Sequence, residues 1–200
     1  MKNLKWIFMI CIGCCIILGV IALKLLPKKD RILVTEVPEQ FMIADVGNYI
    51  QYQGGQDCAG YASAYILRQL GYEIEGPELF EKMIKVSDGV NLYGVKEAFK
   101  QYDCKATAYY GNIDTMKMHL AKGVPVMVHT AFTAYEHGPT HFSVVVGYDE
   151  EFIYLADSAS IKANCAESEQ YNRKLTYEEF GRIWKTDSYP VDNVYVCIES

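Results

Sequence analysis

The chain has 200 residues, half of them apolar, so it is long enough for one packed domain and too apolar for a disordered chain. Its net charge of −6 is unevenly spread, since residues 1–31 carry +5 and the remaining residues carry −11. A domain that acidic repels a phosphate backbone, and no glycine-rich phosphate-binding motif occurs, so neither a nucleic acid nor a nucleotide is expected as a partner.

The chain begins with a tail at 1–5, followed by an apolar segment at 6–26 that is long enough to cross a bilayer. Residues 6–23 are eighteen in a row without a charge or a proline, which predicts a transmembrane helix. A cleaved signal peptide is the alternative, because two lysines precede the apolar run. Retention is favoured, because Lys24 and the two leucines after it would make a poor start for a mature protein.

The predicted anchor implies a single-pass protein of the cell membrane, and two signals oppose each other on its orientation. The basic residues at 24–31 outnumber those at the amino terminus, which by the positive-inside rule favours a cytoplasmic domain. The short tail with Lys2 and Lys5 is typical of signal-anchors and favours the opposite. We expect the domain to lie outside the cytoplasm.

Residues 27–39 are predicted to be a linker with an edge strand at 31–37, and residues 40–200 the folded domain. Helical patterns come first and strand patterns follow, which favours an α+β fold with helices packed on an antiparallel sheet. Gly71 and Gly123 suit helix ends, and Thr176 with Glu179 matches a capping box. The predicted helices lie at 58–70, 77–85, 95–102, 114–122 and 176–184, and the strands at 106–110, 124–129, 141–148, 152–156 and 194–198.

The seven cysteines fall into two groups. Three lie within the predicted span and are interpreted as small apolar residues there. The other four would permit two disulfides in an oxidising compartment, or at most one if one thiol is catalytic. These four are Cys58, Cys104, Cys165 and Cys197.

The two strands at 141–148 and 152–156 are separated by a short polar turn and therefore predict a β-hairpin. If the pairing is symmetric about Asp149, His141 faces Asp157 across the hairpin. A carboxylate on one imidazole nitrogen fixes the tautomer and raises the basicity of the other nitrogen, as a base that activates a nucleophile requires. A slip of one residue would place the two side chains on opposite faces.

Cys58 is the candidate nucleophile, because it opens a helix whose free N–H groups and dipole favour a thiolate. Asp57 is interpreted as the N-cap, directed at backbone N–H groups rather than at sulfur. Each of these residues alone also fits a structural role, and the order of Cys58, His141 and Asp157 in the chain is what favours catalysis. His137 and His141 have metal-ligand spacing, but Gly138-Pro139 prevents the required helix, so neither a metal nor a cofactor is predicted.

At these residues the chain resembles papain-like cysteine peptidases of the bacteriocin-leader-processing type, family thirty-nine of the cysteine peptidases, over about residues 40–187. Four blocks carry the resemblance in the right order. They are Gln-x-x-x-x-Cys with Leu-Arg-Gln-Leu-Gly71, Leu120-Ala-Lys-Gly-Val-Pro-Val-Met-Val128, His141-Phe-Ser-Val-Val-Val-Gly-Tyr148 with Phe152-Ile-Tyr-Leu-Ala-Asp157, and Thr176-Tyr-Glu-Glu-Phe-Gly-Arg-Ile-Trp184.

The resemblance implies a papain-like fold with Cys58 as nucleophile, His141 as base and Asp157 as the residue that orients it. It also implies a glutamine about six residues before the cysteine as an oxyanion donor. Gln53 lies five residues upstream and is preferred, because Gly54-Gly55 can fold it back, and Gln51, seven upstream, is the alternative. The chain departs from the pattern in Ala59, where glycine is common, and in Ser158, where proline is common.

The sequence therefore predicts a membrane-anchored cysteine peptidase that hydrolyses a bond in a peptide or protein substrate through a thioacyl-enzyme. An acyl or aminoacyl transferase, or an amidase, could use the same residues. A non-catalytic peptide-binding module with this fold is the third possibility. The oligomeric state is left open.

Overall fold

The computed structural model describes residues 26–86, 89–133 and 138–199. The five helices of these ranges are α1 (Cys58–Gln69), α2 (Gly76–Lys82), α3 (Leu92–Lys100), α4 (Ile113–Leu120) and α5 (Tyr177–Ile183), with one 3₁₀ turn at Ser160–Lys162. The strands are β1 (Lys28–Lys29), β2 (Phe41–Met42), β3 (Lys105–Tyr110), β4 (Val126–Ala131), β5 (Thr140–Tyr148), β6 (Phe152–Ala156), β7 (Arg173–Thr176) and β8 (Val194–Glu199).

The strands form one sheet in the order β1-β3-β8-β4-β5-β6-β7, and β2 pairs with β5 beside this path. All pairings are antiparallel except that of β1 with β3. Helix α1 packs on β5, at the middle of the sheet, and α2 and α3 pack on α1. This arrangement confirms the predicted α+β class with helices on a largely antiparallel sheet.

The predicted membrane span at 6–26 lies, apart from Leu26, outside the described residues. Within 26–86, 89–133 and 138–199, no helix has the length and apolar character needed to cross a bilayer.

Helix α1 follows from its sequence at both ends. Residues 59–67 are buried along it, and Gly71 just beyond it has a φ of +91°, a conformation that suits glycine. The interpretation of Asp57 as a capping side chain is wrong. Asp57 occupies the N-cap position without a side-chain cap bond, and its Oδ1 accepts a hydrogen bond from Gly55 N at 3.1 Å. The carboxylate is thus used in the glycine turn that precedes the helix.

The predicted edge strand at 31–37 is wrong, because the pairing residues lie on either side of it, in β1 and β2. Strand β1 continues into Asp30, which is buried and whose N–H donates to Tyr110 O at 2.9 Å. The first residues of the predicted linker are therefore attached to the sheet. Leu33, in contrast, is 78% exposed.

The hairpin of β5 and β6 forms as predicted, but its register differs from the symmetric one. Next to the turn Tyr148 pairs with Ile153, whereas farther along Val144 pairs with Ala156, because a β-bulge intervenes between Val145 and Gly147. The extra residue in β5 changes which face each later side chain occupies. Because of this bulge, His141 and Asp157 lie on the same face of the sheet.

Candidate active site

Three elements bring the sequence-predicted site residues together. Cys58 is the first residue of α1, and His141 lies near the start of β5. Asp157 follows the last residue of β6. His141 Nε2 lies 2.7 Å from Asp157 Oδ1, and the Cys58 thiol is close enough to the same imidazole to help raise its pKa. Since Nε2 faces the carboxylate, Nδ1 is the nitrogen available to sulfur.

The side chains of His141 and Asp157 are 2% and 0% exposed, so their electrostatics are governed by each other and not by water. Burial alone would lower the pKa of His141. The hydrogen bonds and charges of Asp157 and Cys58 outweigh it and raise that pKa to about 9. Burial likewise opposes ionisation of Asp157, but the hydrogen bond and charge of His141 keep the pKa of the carboxyl group below its ordinary value.

Residues that the sequence reasoning missed hold Asp157 in place. Arg173 Nη1 donates to Asp157 Oδ2 at 2.8 Å, and Ala159 N donates to Asp157 Oδ1 at 2.9 Å. The Asn172 side chain donates to Asp157 O at 2.8 Å and accepts from Asp157 N at 2.9 Å. The carboxylate is therefore satisfied on both oxygens and cannot turn away from His141.

Arg173 was missed because the strand that carries it, β7, was not predicted. β7 pairs with β6, and this places Arg173 directly opposite Leu155, two residues before Asp157. The sequence of β7, Arg-Lys-Leu-Thr, has a single aliphatic residue, so the pattern of apolar residues does not reveal it.

The two glutamine candidates are separated clearly. Gln53 lines the cleft that contains Cys58 and His141. Gln51 does not, because its Oε1 accepts from Gly76 N at 2.9 Å and its Nε2 donates to Glu75. The geometry therefore supports Gln53 over Gln51 as the amide near the thiol. The N–H groups of Gly60 and Tyr61 donate to Asp57 O. The N–H of Cys58 lies at the very start of α1, where the helix offers it no acceptor, and can also serve an oxyanion.

The cleft beside Cys58 has a volume of about 420 Å³. The ring of Phe132 meets the His141 ring edge to face, with 5.5 Å between the centroids. Lys162 Nζ lies 4.5 Å from the centroid of the Phe132 ring. The wall of the cleft combines apolar side chains with a few polar ones, as ligand sites commonly do. The residues that line the cleft include Gln53, Cys58, Ala59, Phe132, His141 and Phe142.

The other thiols and imidazoles of the described residues do not line this cleft. Cys104, Cys165 and Cys197 are free thiols, as is Cys58, so no disulfide joins the four cysteines of the described residues. His129 is buried against Phe142, with 4.9 Å between the ring centroids, and burial lowers its pKa to about 4. His137 lies outside the described residues. Among those that are described, no group of three or more His, Cys, Asp or Glu side chains could hold a metal ion.

Comparison with known proteins gives one family and several solved structures. Residues 47–188 match the Peptidase C39 family. No curated protein sequence matches the chain.

Among solved structures, the chain resembles a C39-like peptidase from Bacillus anthracis, with 19% identity, a TM-score of 0.60 and coverage of 82% of this chain and 98% of that one. The peptidase domain of Streptococcus ComA, a bifunctional ABC transporter involved in quorum sensing, gives 16% identity, a TM-score of 0.57 and coverage of 76% and 97%. A double-glycine-motif protease from an AMS/PCAT transporter was solved with the leader peptide. It gives 20% identity, a TM-score of 0.53 and coverage of 75% of this chain and 89% of that one. At these identities the likeness shows the fold.

Proposed function

The chain belongs to the peptidase C39 family, and from that premise we propose that it is a cysteine peptidase whose nucleophile is Cys58, with His141 as acid and base and Asp157 as the residue that orients it. The observation that carries the proposal is the series of neighbouring groups that runs from the half-buried Cys58 thiol through the buried His141 to the buried Asp157. This series of groups opens into a cleft large enough for a peptide.

The reaction follows from the positions of these groups. The Cys58 thiolate attacks the carbonyl carbon of the scissile bond, and the N–H groups of Cys58 and of the Gln53 amide stabilise the oxygen that becomes negative. The His141 imidazolium donates its Nδ1 proton to the leaving amine as the C–N bond breaks, which leaves a thioester on Cys58. Neutral His141 then takes a proton from water as the water oxygen attacks the thioester carbonyl. The C–S bond breaks, the carboxylic acid product leaves, and the Cys58 thiolate is again paired with the His141 imidazolium.

Asp157 favours the imidazolium throughout this cycle. Its negative charge, held by Arg173 and the Ala159 N–H, lies on the Nε2 side of His141. The ring is thereby fixed in the orientation that presents Nδ1 to sulfur.

The substrate class supported best is a peptide in extended conformation. The AMS/PCAT relative was solved with a leader peptide, and the cleft of this chain contains glycine backbone and aromatic side chains that suit a peptide. Transfer of the acyl group to an amine in place of water would make the protein an acyl or aminoacyl transferase, and hydrolysis of an amide other than a peptide bond would make it an amidase. We place the domain outside the cytoplasm, held at the cell membrane by the span predicted at 6–26.

An activity-based thiol probe tests the assignment. We expect an electrophilic peptidyl probe to label the wild type and to fail on Cys58→Ser, while Cys165→Ser, which removes the other half-buried thiol, keeps full labelling. Equal labelling of the wild type and Cys58→Ser would instead support the non-catalytic peptide-binding module. Mass spectrometry of products formed with and without an added amine then separates hydrolase from transferase.

A further inference from the structure

Two hydrogen bonds tie Gln53 to Ser158, the residue that follows Asp157. Gln53 N donates to Ser158 O at 2.9 Å, and Ser158 Oγ donates to Gln53 Oε1 at 2.6 Å. Ser158 is only 6% exposed. The contact therefore joins the strand end that carries Asp157 to the glutamine beside the thiol, across 105 residues of sequence.

The second of these bonds determines which end of the Gln53 amide faces which neighbour. A hydroxyl donates to the amide oxygen, so Oε1 is the end held by Ser158. Nε2 lies at the other end and donates to Gly55 O at 2.6 Å. An amide nitrogen carries two hydrogens, so one N–H remains for a further acceptor in the cleft that Gln53 shares with Cys58.

The chain on either side of Gln53 would not by itself fix that orientation. Gln53 is followed by Gly54 and Gly55, which are exposed, and a Cβ built on either glycine would meet no atom within 4 Å. A turn without side chains and without packing leaves a long neighbouring side chain free to rotate. The restraint on the amide comes from Ser158 and from the Gly55 carbonyl.

We propose that Ser158 is a positioning residue that holds the Gln53 amide with its free N–H directed at the oxyanion of the acyl-transfer step, an inference that rests on the proposed peptidase function. Because Asp157 and Ser158 are adjacent, one strand end orients both the base and the oxyanion donor. Ser158 acts through Gln53 and touches no reacting atom.

The test compares two reactions of the same thiol. Acylation by p-nitrophenyl acetate passes through a tetrahedral oxyanion, whereas alkylation by iodoacetamide displaces iodide at carbon and forms none. We expect Ser158→Ala to slow the acylation of Cys58 about tenfold and Gln53→Ala to slow it by about 100- to 1,000-fold, the usual effect of removing one oxyanion donor. Alkylation should be unchanged in both variants, because the Cys58–His141 pair is intact.

The double variant tests whether Ser158 acts on acylation through Gln53. Ser158→Ala added to Gln53→Ala should cause no further loss of acylation, because the amide that Ser158 positions is gone. Ser158→Thr keeps a hydroxyl and should retain most of the wild-type acylation rate. Rates are measured on the full chain, with the release of nitrophenolate by Cys58→Ala subtracted as background.

Three results would overturn the positioning role. One is equal slowing of acylation and alkylation by Ser158→Ala, which would indicate a general loss of structure. The second is a further slowing in the Gln53→Ala background, and the third is a wild-type acylation rate in Ser158→Ala. A wild-type chain that is acylated no faster than Cys58→Ala would overturn the peptidase assignment itself and, with it, the role of Ser158.

Discussion

Two histidine–aspartate pairs of the described residues have the same nitrogen–oxygen distance. His141 Nε2 is 2.7 Å from Asp157 Oδ1, and His119 Nε2 is 2.7 Å from Asp30 Oδ2. The first pair lies in the cleft and the second fastens the segment after β1 to α4. Similar local geometry is thus used once beside a nucleophile and once in a structural contact.

The difference between the pairs comes from their third partners. The imidazole of His141 also contacts the Cys58 thiol, and its pKa is raised to about 9. The ring of His119 stacks on Tyr109 with 5.4 Å between centroids, and burial lowers its pKa despite the hydrogen bond and charge of Asp30. We therefore treat a histidine–carboxylate pair as a candidate catalytic pair only where a proposed nucleophile lies near the other ring nitrogen.

Asp30 shows how a carboxylate in the structural pair is occupied. It accepts from the hydroxyl of Tyr195 as well as from Ile32 N, the latter at 2.8 Å. The Tyr195 hydroxyl oxygen also lies at hydrogen-bond distance, 2.9 Å, from Thr115 Oγ1. The four residues Asp30, Thr115, His119 and Tyr195, here called the junction cluster, connect the residues after the predicted span to α4 and β8. The side chain of His119 is only 10% exposed.

The largest effect is expected from removal of the Cys58 thiol, the third partner in the His141–Asp157 pair. Cys58→Ala should abolish turnover, because no other group in the cleft can form the thioacyl intermediate, while the thermal midpoint stays near that of the wild type. Cys165→Ala is the matched control, since it also removes a half-buried free thiol and should leave turnover unchanged. Product formation by Cys58→Ala at the wild-type rate would refute the peptidase assignment.

The next largest effect should distinguish the Asp157 carboxylate from the Asp30 carboxylate by the rate of peptide cleavage. Asp157→Ala should lower the rate of peptide cleavage by about 100-fold or more, because His141 loses its orienting partner, and should also destabilise the fold, because Arg173 is left buried without a counter-charge. Asp157→Asn keeps a hydrogen-bonding side chain of the same shape and should cost less. Asp30→Asn is the matched change at the other pair and should leave the cleavage rate unaltered. If Asp157→Ala retains full activity, the residue that orients His141 is another one.

The sequence predicted the five helices and most of the long strands, but it missed β7 and the register that joins β5 to β6. Alternating apolar residues predicted β5 and β6, and the polar turn predicted their hairpin. Nothing in Val144-Val145-Val146 marks one valine as a bulge, because all three are apolar and each fits either register. The pairing at the turn, continued without a bulge, would have placed His141 and Asp157 on opposite faces. The contact was predicted correctly from a register that was wrong.

The pH dependence of activity sharpens the comparison further. His141 must be protonated to pair with a thiolate, so activity should fall as pH rises through about 9, the value to which its pKa is raised. In Asp157→Asn the carboxylate charge that supports the imidazolium is gone, so this alkaline limb should move to lower pH. Rates of cleavage measured from pH 6 to about 10.5 follow the limb. An unchanged limb in Asp157→Asn would show that the carboxylate does not set the pKa of His141.

The raised pKa of His141 also makes the stability of the fold depend on pH. The folded protein holds the His141 proton more tightly than the unfolded chain does, so this contribution is complete below pH 6.5 and is lost as pH rises through about 9. His119 has the opposite sign. Its pKa is lowered in the folded state, so the unfolded chain takes up the proton first and stability falls as pH decreases below 6.5.

The smallest effect is expected at the junction cluster, and it is one of stability alone. Asp30→Ala removes the acceptor that His119, Tyr195 and Ile32 N share. Leaving such buried donors unpaired costs about 1–3 kcal/mol of unfolding free energy. Denaturant unfolding at pH 7.5 measures that loss, and cleavage of the same peptide measures activity. Glu36→Ala, a carboxylate exposed in the same segment, should change neither. Because the cluster lies next to the predicted membrane span and not in the cleft, a variant that unfolds more easily yet cleaves at the wild-type rate is the expected outcome. A loss of activity at unchanged stability would mean instead that the attachment of the N-terminal segment influences the catalytic pair.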